Sequence, residues 1–365
     1  MSNLSCSNSK EFEFEQLKLD ISLLAAEAFL NVLKAKTFEK IQKNNLRRTK
    51  SNLEIARVRE SVGSAGPAEI YRWDSELASN RNSVIQAIAQ VHLARIELNR
   101  ILNRNLEEKF ICVESNIYSE SLLSSQNTLP RYLGNPYSFN IFKEFMINEG
   151  LRNSPALISL SAAIEAQERL LTSSTNRYWI PTLALQGEYS DLFWKDGSGS
   201  NIPTSFDDHN WNIALSLSFP LFDGTEKYAI KRQAQETLEE IQIQYESIAE
   251  KVEQQIRSLL YRVGASFAAI RELRLSAEAA AKSLKVVQDA YALGAVSILD
   301  LLDAQNAALV SEQLASNSEY DFIIDLMSLE RSTGKFYLQL SDEEARDFLL
   351  RLEKFYVEQI KKDEN

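Results

Sequence analysis

Residues 211–221 read Trp-Asn-Ile-Ala-Leu-Ser-Leu-Ser-Phe-Pro-Leu, and they alternate strictly. Trp211, Ile213, Leu215, Leu217, Phe219 and Leu221 fall on one side of an extended chain. Asn212, Ala214, Ser216, Ser218 and Pro220 fall on the other. A period of two is the mark of a β-strand whose two faces meet different surroundings. Residues 180–190 alternate less cleanly, with Leu183, Leu185 and Tyr189 opposite Gln186 and Glu188. Asp196-Gly-Ser-Gly-Ser-Asn201 lies between the two stretches. The expectation is one β-hairpin over 180–221 with a long polar loop, and His209 falls in that loop. Eleven alternating residues suit a membrane strand, which needs about 9–11. Aromatic residues gather near the ends, at Tyr178, Trp179, Phe193, Trp194, Trp211 and Phe222, as in an interfacial girdle. A half-buried hairpin in a water-soluble sheet has the same period, so the strands alone leave both readings open.

On either side the period becomes helical. Thr225 to Leu293 holds no proline and one glycine, Gly264, and a helix of that length would span roughly 100 Å. Gly294 ends it, and a further helix follows over 297–332. Ser154-Pro155 is a helix start, with serine as N-cap and proline in the first turn, running to about Asn176. Residues 12–62 carry a seam of Leu17, Ile21, Leu24, Ala28, Val32, Ala35, Phe38 and Ile41. Gly63-Ser-Ala-Gly-Pro67 breaks it, and a second helix follows to about Leu102. Residues 105–152 are less regular, a connecting segment with short helices. The tail beyond Gly334 suits one or two short amphipathic helices. Eleven glycines and seven prolines in 365 residues fit few turns and long elements.

The two long hairpins resemble each other at a fixed offset of 231, which relates Gly63 to Gly294, Leu53 to Leu284, Glu69 to Asp300 and Leu98 to Leu329. Self-similarity of that size means a duplicated unit. The organisation expected is a first repeat over 1–104, a connecting segment over 105–153, a second repeat over 154–336 and a helical tail over 337–365. The fold class is therefore mainly α with one β-hairpin. The offset maps the first unit's own β-hairpin ahead of Met1. The expectation is a shortened chain, through a late start or as a truncated copy without function.

The formal charge of −11 argues against nucleic acid as a partner, because phosphate binding needs a basic face. Cys6 and Cys112 have no paired spacing. His92 and His209 are isolated and read as surface residues. No catalytic triad, HExxH, GxGxxG or P-loop stands out, so no enzyme activity, metal or cofactor is expected. The first 20 residues hold no secretory signal, and no apolar run approaches the length of a membrane helix. Asp300 and Asp303 sit three apart just after the Gly294 turn. A solvated helix start explains them by itself, since acids favour the positive end of the helix dipole. In a symmetric oligomer the same acids would form a ring.

Four segments carry a family resemblance. Asn176-Arg-Tyr-Trp-Ile-Pro-Thr-Leu183 resembles the helix-to-strand passage of TolC-like outer-membrane efflux proteins, and Leu217-Ser-Phe-Pro-Leu-Phe-Asp-Gly224 their return to helix. Tyr291 to Gln305 resembles their inner turn, and Leu329-Glu-Arg-Ser-Thr-Gly334 their closing helix. The likeness covers about 154–336 well. It covers 20–104 more loosely, through Asn52-Leu53, Gly63 and Tyr71-Arg72-Trp73. The resemblance implies a homotrimer that shares a twelve-stranded β-barrel in the outer membrane, with the strand face Trp211, Ile213, Leu215, Leu217 and Phe219 toward lipid. It implies an α-barrel of helical hairpins in the periplasm, met by an inner-membrane pump and a periplasmic adaptor in tripartite efflux or type I secretion. Two strands per subunit would give a trimer six, too few for an open barrel. By the same resemblance Asp300 and Asp303 match acids of a constricted entrance, beside Gly294, and Tyr291 matches a gating tyrosine. Gly63 and Glu69 are the first-repeat equivalents. Some members carry a gating arginine two residues after the glycine, where this chain has Val296. The competing reading is a soluble or periplasmic coiled-coil scaffold. An adaptor of that kind would keep a β-domain rich in glycine and valine, which the sequence does not contain.

Overall fold

The computed structural model describes residues 2–112, 132–191, 209–220, 222, 224–336 and 341–363, with side chains from Phe14 onward except at Asp342 and Ala345. In chain order the elements are α1 (Ser2–Ser61), α2 (Pro67–Ile101), α3 (Pro136–Asn153), α4 (Pro155–Asn176), β1 (Thr182–Asp191), β2 (His209–Ser218), α5 (Glu226–Ala292), α6 (Ile298–Ser332) and α7 (Asp342–Asp363). Leu221, Phe193, Trp194 and the Asp196–Asn201 loop lie outside the described residues. One placement is corrected. His209 is not in the loop but opens β2, where it pairs with Asp191. Strand ends carry no capping chemistry, so alternation alone could not fix that boundary.

The helix boundaries follow from local chemistry. Gly63 (φ +75°) and Gly294 (φ +79°) stand in the left-handed region, where a Cβ is penalised. Each closes its helix with the same two bonds. Gly63 N–H donates to Glu60 O and Ser64 N–H to Arg59 O; Gly294 N–H donates to Tyr291 O and Ala295 N–H to Ala290 O. This is the Schellman pattern. The offset of 231 recurs at the far ends of the following helices, where Asn103 (φ +53°) and Gly334 (φ +80°) are also left-handed. Within α3, Asn135 caps the helix by accepting from Tyr137 N–H at 3.0 Å. Before α7, Ser341 and Glu344 cap each other, Ser341 N–H to Glu344 at 3.0 Å and Glu344 N–H to Ser341 Oγ at 3.3 Å.

The chain divides into two compact units, one of residues 160–246 with the first five residues, the other of 6–159 and 247–365. The first holds the β-hairpin and the helical segments that flank it. Within it α4 meets α5 through Gln167 Nε2, which donates to Ala234 O at 3.0 Å.

The second unit has three apolar clusters. The largest joins α3, α5, α6 and α7 through Phe142, Phe145, Met146, Ile256, Leu260, Phe322, Leu329 and Leu352. Another, near the Gly63 and Gly294 turns, takes Leu53 and Ala56 from α1, Trp73 and Leu77 from α2, Leu284 and Tyr291 from α5, and Leu301 and Ala308 from α6. A third gathers Leu30, Val32, Leu33, Leu98, Cys112 and Ile323. Cys112 is a buried free thiol. Inside the four-helix packing runs a layer of buried amides. Gln305 donates to Asn45 (3.0 Å) and Thr49 (2.7 Å), and Asn52 donates to Gln305 (3.0 Å). Gln288 donates to Asn52 at 2.8 Å, while Asn45 and Asn80 are joined at 3.2 Å. The layer ties α1, α2, α5 and α6 together. Along the α1–α6 seam, Asp20–Arg331 (2.5 Å), Lys34–Asp321 (2.7 Å) and Arg48–Glu312 (3.3 Å) pair antiparallel. Exposed pairs such as these contribute about 0–1 kcal/mol each.

Gly334 packs where no side chain fits, because an added Cβ would stand 2.6 Å from the carbonyl oxygen of Asn153. Gly334→Ala is expected to destabilise this unit by about 2–4 kcal/mol, from left-handed strain plus the clash. Gly66→Ser, at the N-cap of α2 in open space, is expected to be neutral or stabilising by up to about 1 kcal/mol. Thermal unfolding followed by circular dichroism at 222 nm compares the two, and equal effects would refute the packing argument.

Candidate functional site

The β-hairpin is a ribbon with two chemically distinct faces. Its register pairs Leu183 with Leu217, Leu185 with Leu215, Gly187 with Ile213 and Tyr189 with Trp211. Residues directly opposite in an antiparallel pair share a face, so these eight positions form one apolar side. The intervening pairs are Thr182 with Ser218, Ala184 with Ser216, Gln186 with Ala214 and Glu188 with Asn212. They form a small, polar side. The weaker alternation of β1 thus falls into step with that of β2. On the apolar side Leu183, Leu185, Tyr189, Trp211, Ile213, Leu215 and Leu217 are each 65–73% exposed in the single chain. Phe219 follows β2 and lies 5.4 Å from Lys227 Nζ, in cation–π range. At the loop end Asp191 Oδ1 stands 3.0 Å from His209 Nδ1.

The second candidate region is the pair of turns closed by Gly63 and Gly294. Asp300 and Asp303 are both exposed there. Asp300 is the N3 residue of a capping box: Ser297 N–H and Oγ–H donate to its Oδ2 at 2.9 and 2.6 Å, and Asp300 N–H returns to Ser297 Oγ at 3.4 Å. The Ser297 hydroxyl, and then its backbone N–H, hold the Asp300 carboxyl below the usual carboxylate range. Asp303 lies one turn on.

Glu69 occupies the matching place after the first turn, yet its surroundings differ. Its carboxylate is largely enclosed and accepts from Arg59 Nη1 at 3.0 Å. It also accepts from the phenol of Tyr291, which is itself fully buried. Trp73 Nε1–H donates to the Tyr291 oxygen at 3.0 Å, and the two rings meet edge-to-face at 6.3 Å. The Arg59 guanidinium lies 4.5 Å above the Tyr291 ring. A chain of hydrogen bonds therefore runs from Trp73 through Tyr291 to Glu69, with Arg59 closing it from α1. Sequence reading singled out Tyr291 and Glu69 separately but did not connect them. It missed Arg59 altogether, and quoted Trp73 only as part of a resemblance. Nothing in local spacing marks Arg59. The Ser297-x-x-Asp300 spacing, by contrast, was a visible capping signal.

Among the described residues no cluster of His, Cys, Asp and Glu is arranged to hold a metal ion, and no helix is long and apolar enough to cross a membrane.

Burial first, and then the bond to Glu69, push the Tyr291 phenol up to about 12. The neutral phenol is the donor, and its folded value lies above the free value of about 10. Its stabilising contribution is therefore complete below about pH 10 and is lost as pH rises through about 12. Subtracting the 295 nm titration of Tyr291→Phe from that of the parent should isolate one phenol with a midpoint near 12. A difference curve centred near 10 would show that the phenol is not enclosed.

The outer membrane efflux protein family matches residues 146–335. TolC from Vibrio cholerae serotype O1 is 24% identical over 319 residues, covering 83% of this chain and 69% of that protein. TolC from Salmonella enteritidis is 26% identical over 288 residues, covering 75% and 57%. The chain thus spans between 57% and 69% of the lengths of these two relatives. Among solved structures, the outer-membrane channel OprN superposes with a TM-score of 0.73 at 21% identity, covering 92% of this chain and 70% of that one. The mainly helical fold with its antiparallel strand pair is that of these channels, and the chain belongs to the outer membrane efflux protein family.

Proposed function

We propose that this chain is a subunit of a passive export duct in the outer membrane, extending into the periplasm and doing no chemistry of its own. The observation that carries the reading is the register of the ribbon, which collects every large apolar side chain of both strands on one face. Such a face is costly in water and favourable in lipid. Ten paired residues rise about 34 Å, and at a tilt of about 45° they cover about 24 Å, close to the apolar band of an outer-membrane barrel. The small polar face then lines a wet lumen. On this reading Trp211, Ile213, Leu215, Leu217 and Phe219 face outer-membrane lipid. Copies of the chain assemble as a homotrimer, in which each ribbon gains strand neighbours for edges that lipid does not tolerate open.

The helical hairpins then form the periplasmic part, as two repeats over 1–104 and 154–336 joined by 105–153 and followed by the tail 337–365. The shared left-handed positions at 63 and 294 and at 103 and 334 support a duplicated unit. The turn end is the duct's entrance, where an inner-membrane pump and a periplasmic adaptor dock. Asp300 and Asp303 are exposed there and give it cation affinity, while Tyr291 and Glu69 join the two hairpins behind Gly63 and Gly294.

Two measurements test this. Leu215→Arg should lower stability in phospholipid vesicles by about 2–4 kcal/mol, and Ser216→Arg far less. Urea midpoints that move equally would reject a lipid-facing ribbon. Separately, Asp300→Asn with Asp303→Asn keeps a capping side chain but removes the charge. The pair should weaken block by a multivalent cation in a planar bilayer about tenfold, worth roughly 1.4 kcal/mol. Unchanged block would remove these acids from the entrance.

A further inference from the structure

We propose that Arg59 is the positioning residue of the turn contact: paired with Glu69 and lying over the Tyr291 ring, it holds the phenol–carboxylate bond that ties one helical hairpin to the other within a single chain. The geometry stands by itself. It does not depend on the duct reading.

Arg59 lies in α1, ten residues before its partner Glu69 and on the far side of the Gly63 turn. Its guanidinium makes three contacts that no single role explains. Nη1 pairs with Glu69 at 3.0 Å, and Nη2 donates to Ser64 O at 3.4 Å. The plane covers the Tyr291 ring at 4.5 Å. Nη2 also lies 3.8 Å from where a Cβ on Gly294 would stand, against the turn of the second hairpin. The remaining nitrogen, Nε, is buried with no hydrogen-bond partner. A side chain that merely filled space would turn that nitrogen toward water. A guanidinium held by its other contacts leaves it dry, and a buried orphan of that kind needs such an explanation.

The physical need is clear from Glu69. Its side chain is only 16% exposed, and Arg59 is its ion-pair partner among the described residues. Tyr291 donates to it, but a phenol brings no net charge. Without Arg59 the carboxylate is a desolvated charge that gains by swinging out to water, and the Tyr291 hydroxyl loses its acceptor. Val296, just past the Gly294 turn, supplies no cation. The cation comes from the first hairpin instead, so the whole contact is built from one chain. Arginine suits the task better than lysine, because a planar guanidinium pairs and stacks at once whereas an ammonium is a point charge.

The test turns on a sign. The positive charge of Arg59 acts to lower the Tyr291 pKa. If Arg59 were only a nearby charge, Arg59→Ala would leave the contact intact and move the phenol midpoint above about 12. If it positions the contact, Tyr291 is released to solvent and the midpoint falls toward about 10. The readout is the 295 nm titration of the full chain in detergent, with Tyr291→Phe subtracted in each background. Acrylamide quenching at pH 7 gives a second reading. In a background with Trp179, Trp194 and Trp211 changed to Phe, Trp73 reports alone, and Arg59→Ala should expose it. Arg59→Lys should fall between parent and alanine variant in both. Circular dichroism at 222 nm checks that each variant keeps its helices. A midpoint at or above about 12 in Arg59→Ala, with Trp73 still shielded, overturns the assignment. Neither measurement depends on conductance, so loss of the duct reading would leave this result standing or falling independently.

Discussion

A helix of 67 residues gains little from its own backbone in water; it persists where its apolar stripe is covered along its length. Around the two turns that cover is mutual, since α1, α2, α5 and α6 each contribute to one cluster. Apolar packing alone is tolerant of register, because one helical turn of slip, about 5.4 Å, brings similar side chains back into contact. The amide layer removes that tolerance. Asn45, Thr49, Asn52, Asn80 and Gln305 are all buried, and their donors and acceptors match in one alignment. Any slip leaves several of them unpaired, at about 1–3 kcal/mol each. Gln288 sits three residues before Tyr291, and Asn52 seven before Arg59. The register fixed at the amides is therefore the register that brings Tyr291 to Glu69 two turns further on.

The β-ribbon answers to an opposite requirement. Its apolar side chains are exposed, and no described residue of its own unit covers them. Two antiparallel strands alone are marginal in water, so the ribbon gains from neighbours on its edges and from cover over its apolar face. On the proposed duct reading both come from other copies and from lipid. In the four-helix packing, by contrast, each buried amide of the layer finds its partner within the chain.

Much of this was legible in the sequence, for reasons that differ by element. Gly63 and Gly294 could be read because a left-handed closing residue strongly favours glycine, and because the offset of 231 supplied each with a witness. The strand face could be read because alternation has a period of two whatever the partner strand does. The start of β2 could not, and His209 was misplaced, because a polar residue at the first pair of a hairpin looks like loop. The contact of Tyr291 with Glu69 was beyond reach, since 222 residues separate them and no local pattern encodes it. Arg59 was more hidden still. It is one of 40 lysines and arginines in a chain full of charged helix surface.

The pair Glu69 and Asp300 shows what a shared position does not decide. Both follow a left-handed glycine by six residues, and both stand at the start of a 35-residue helix. Serine at 297 gives Asp300 a reciprocal cap, which uses the carboxylate locally and leaves it in water. The N-cap of α2 is Gly66, which has no side chain to offer, so Glu69 is free to turn inward. There it meets Arg59, and its charge is neutralised at contact distance. A neutralised, enclosed carboxylate contributes little field to the surrounding water, whereas an exposed one is felt within about 8–10 Å at physiological salt. On the proposed duct reading the cation affinity of this end therefore belongs to Asp300 and Asp303, while Glu69 makes the contact with Arg59 and Tyr291. The difference in capping residue, serine against glycine, accompanies the difference in where the two carboxylates lie.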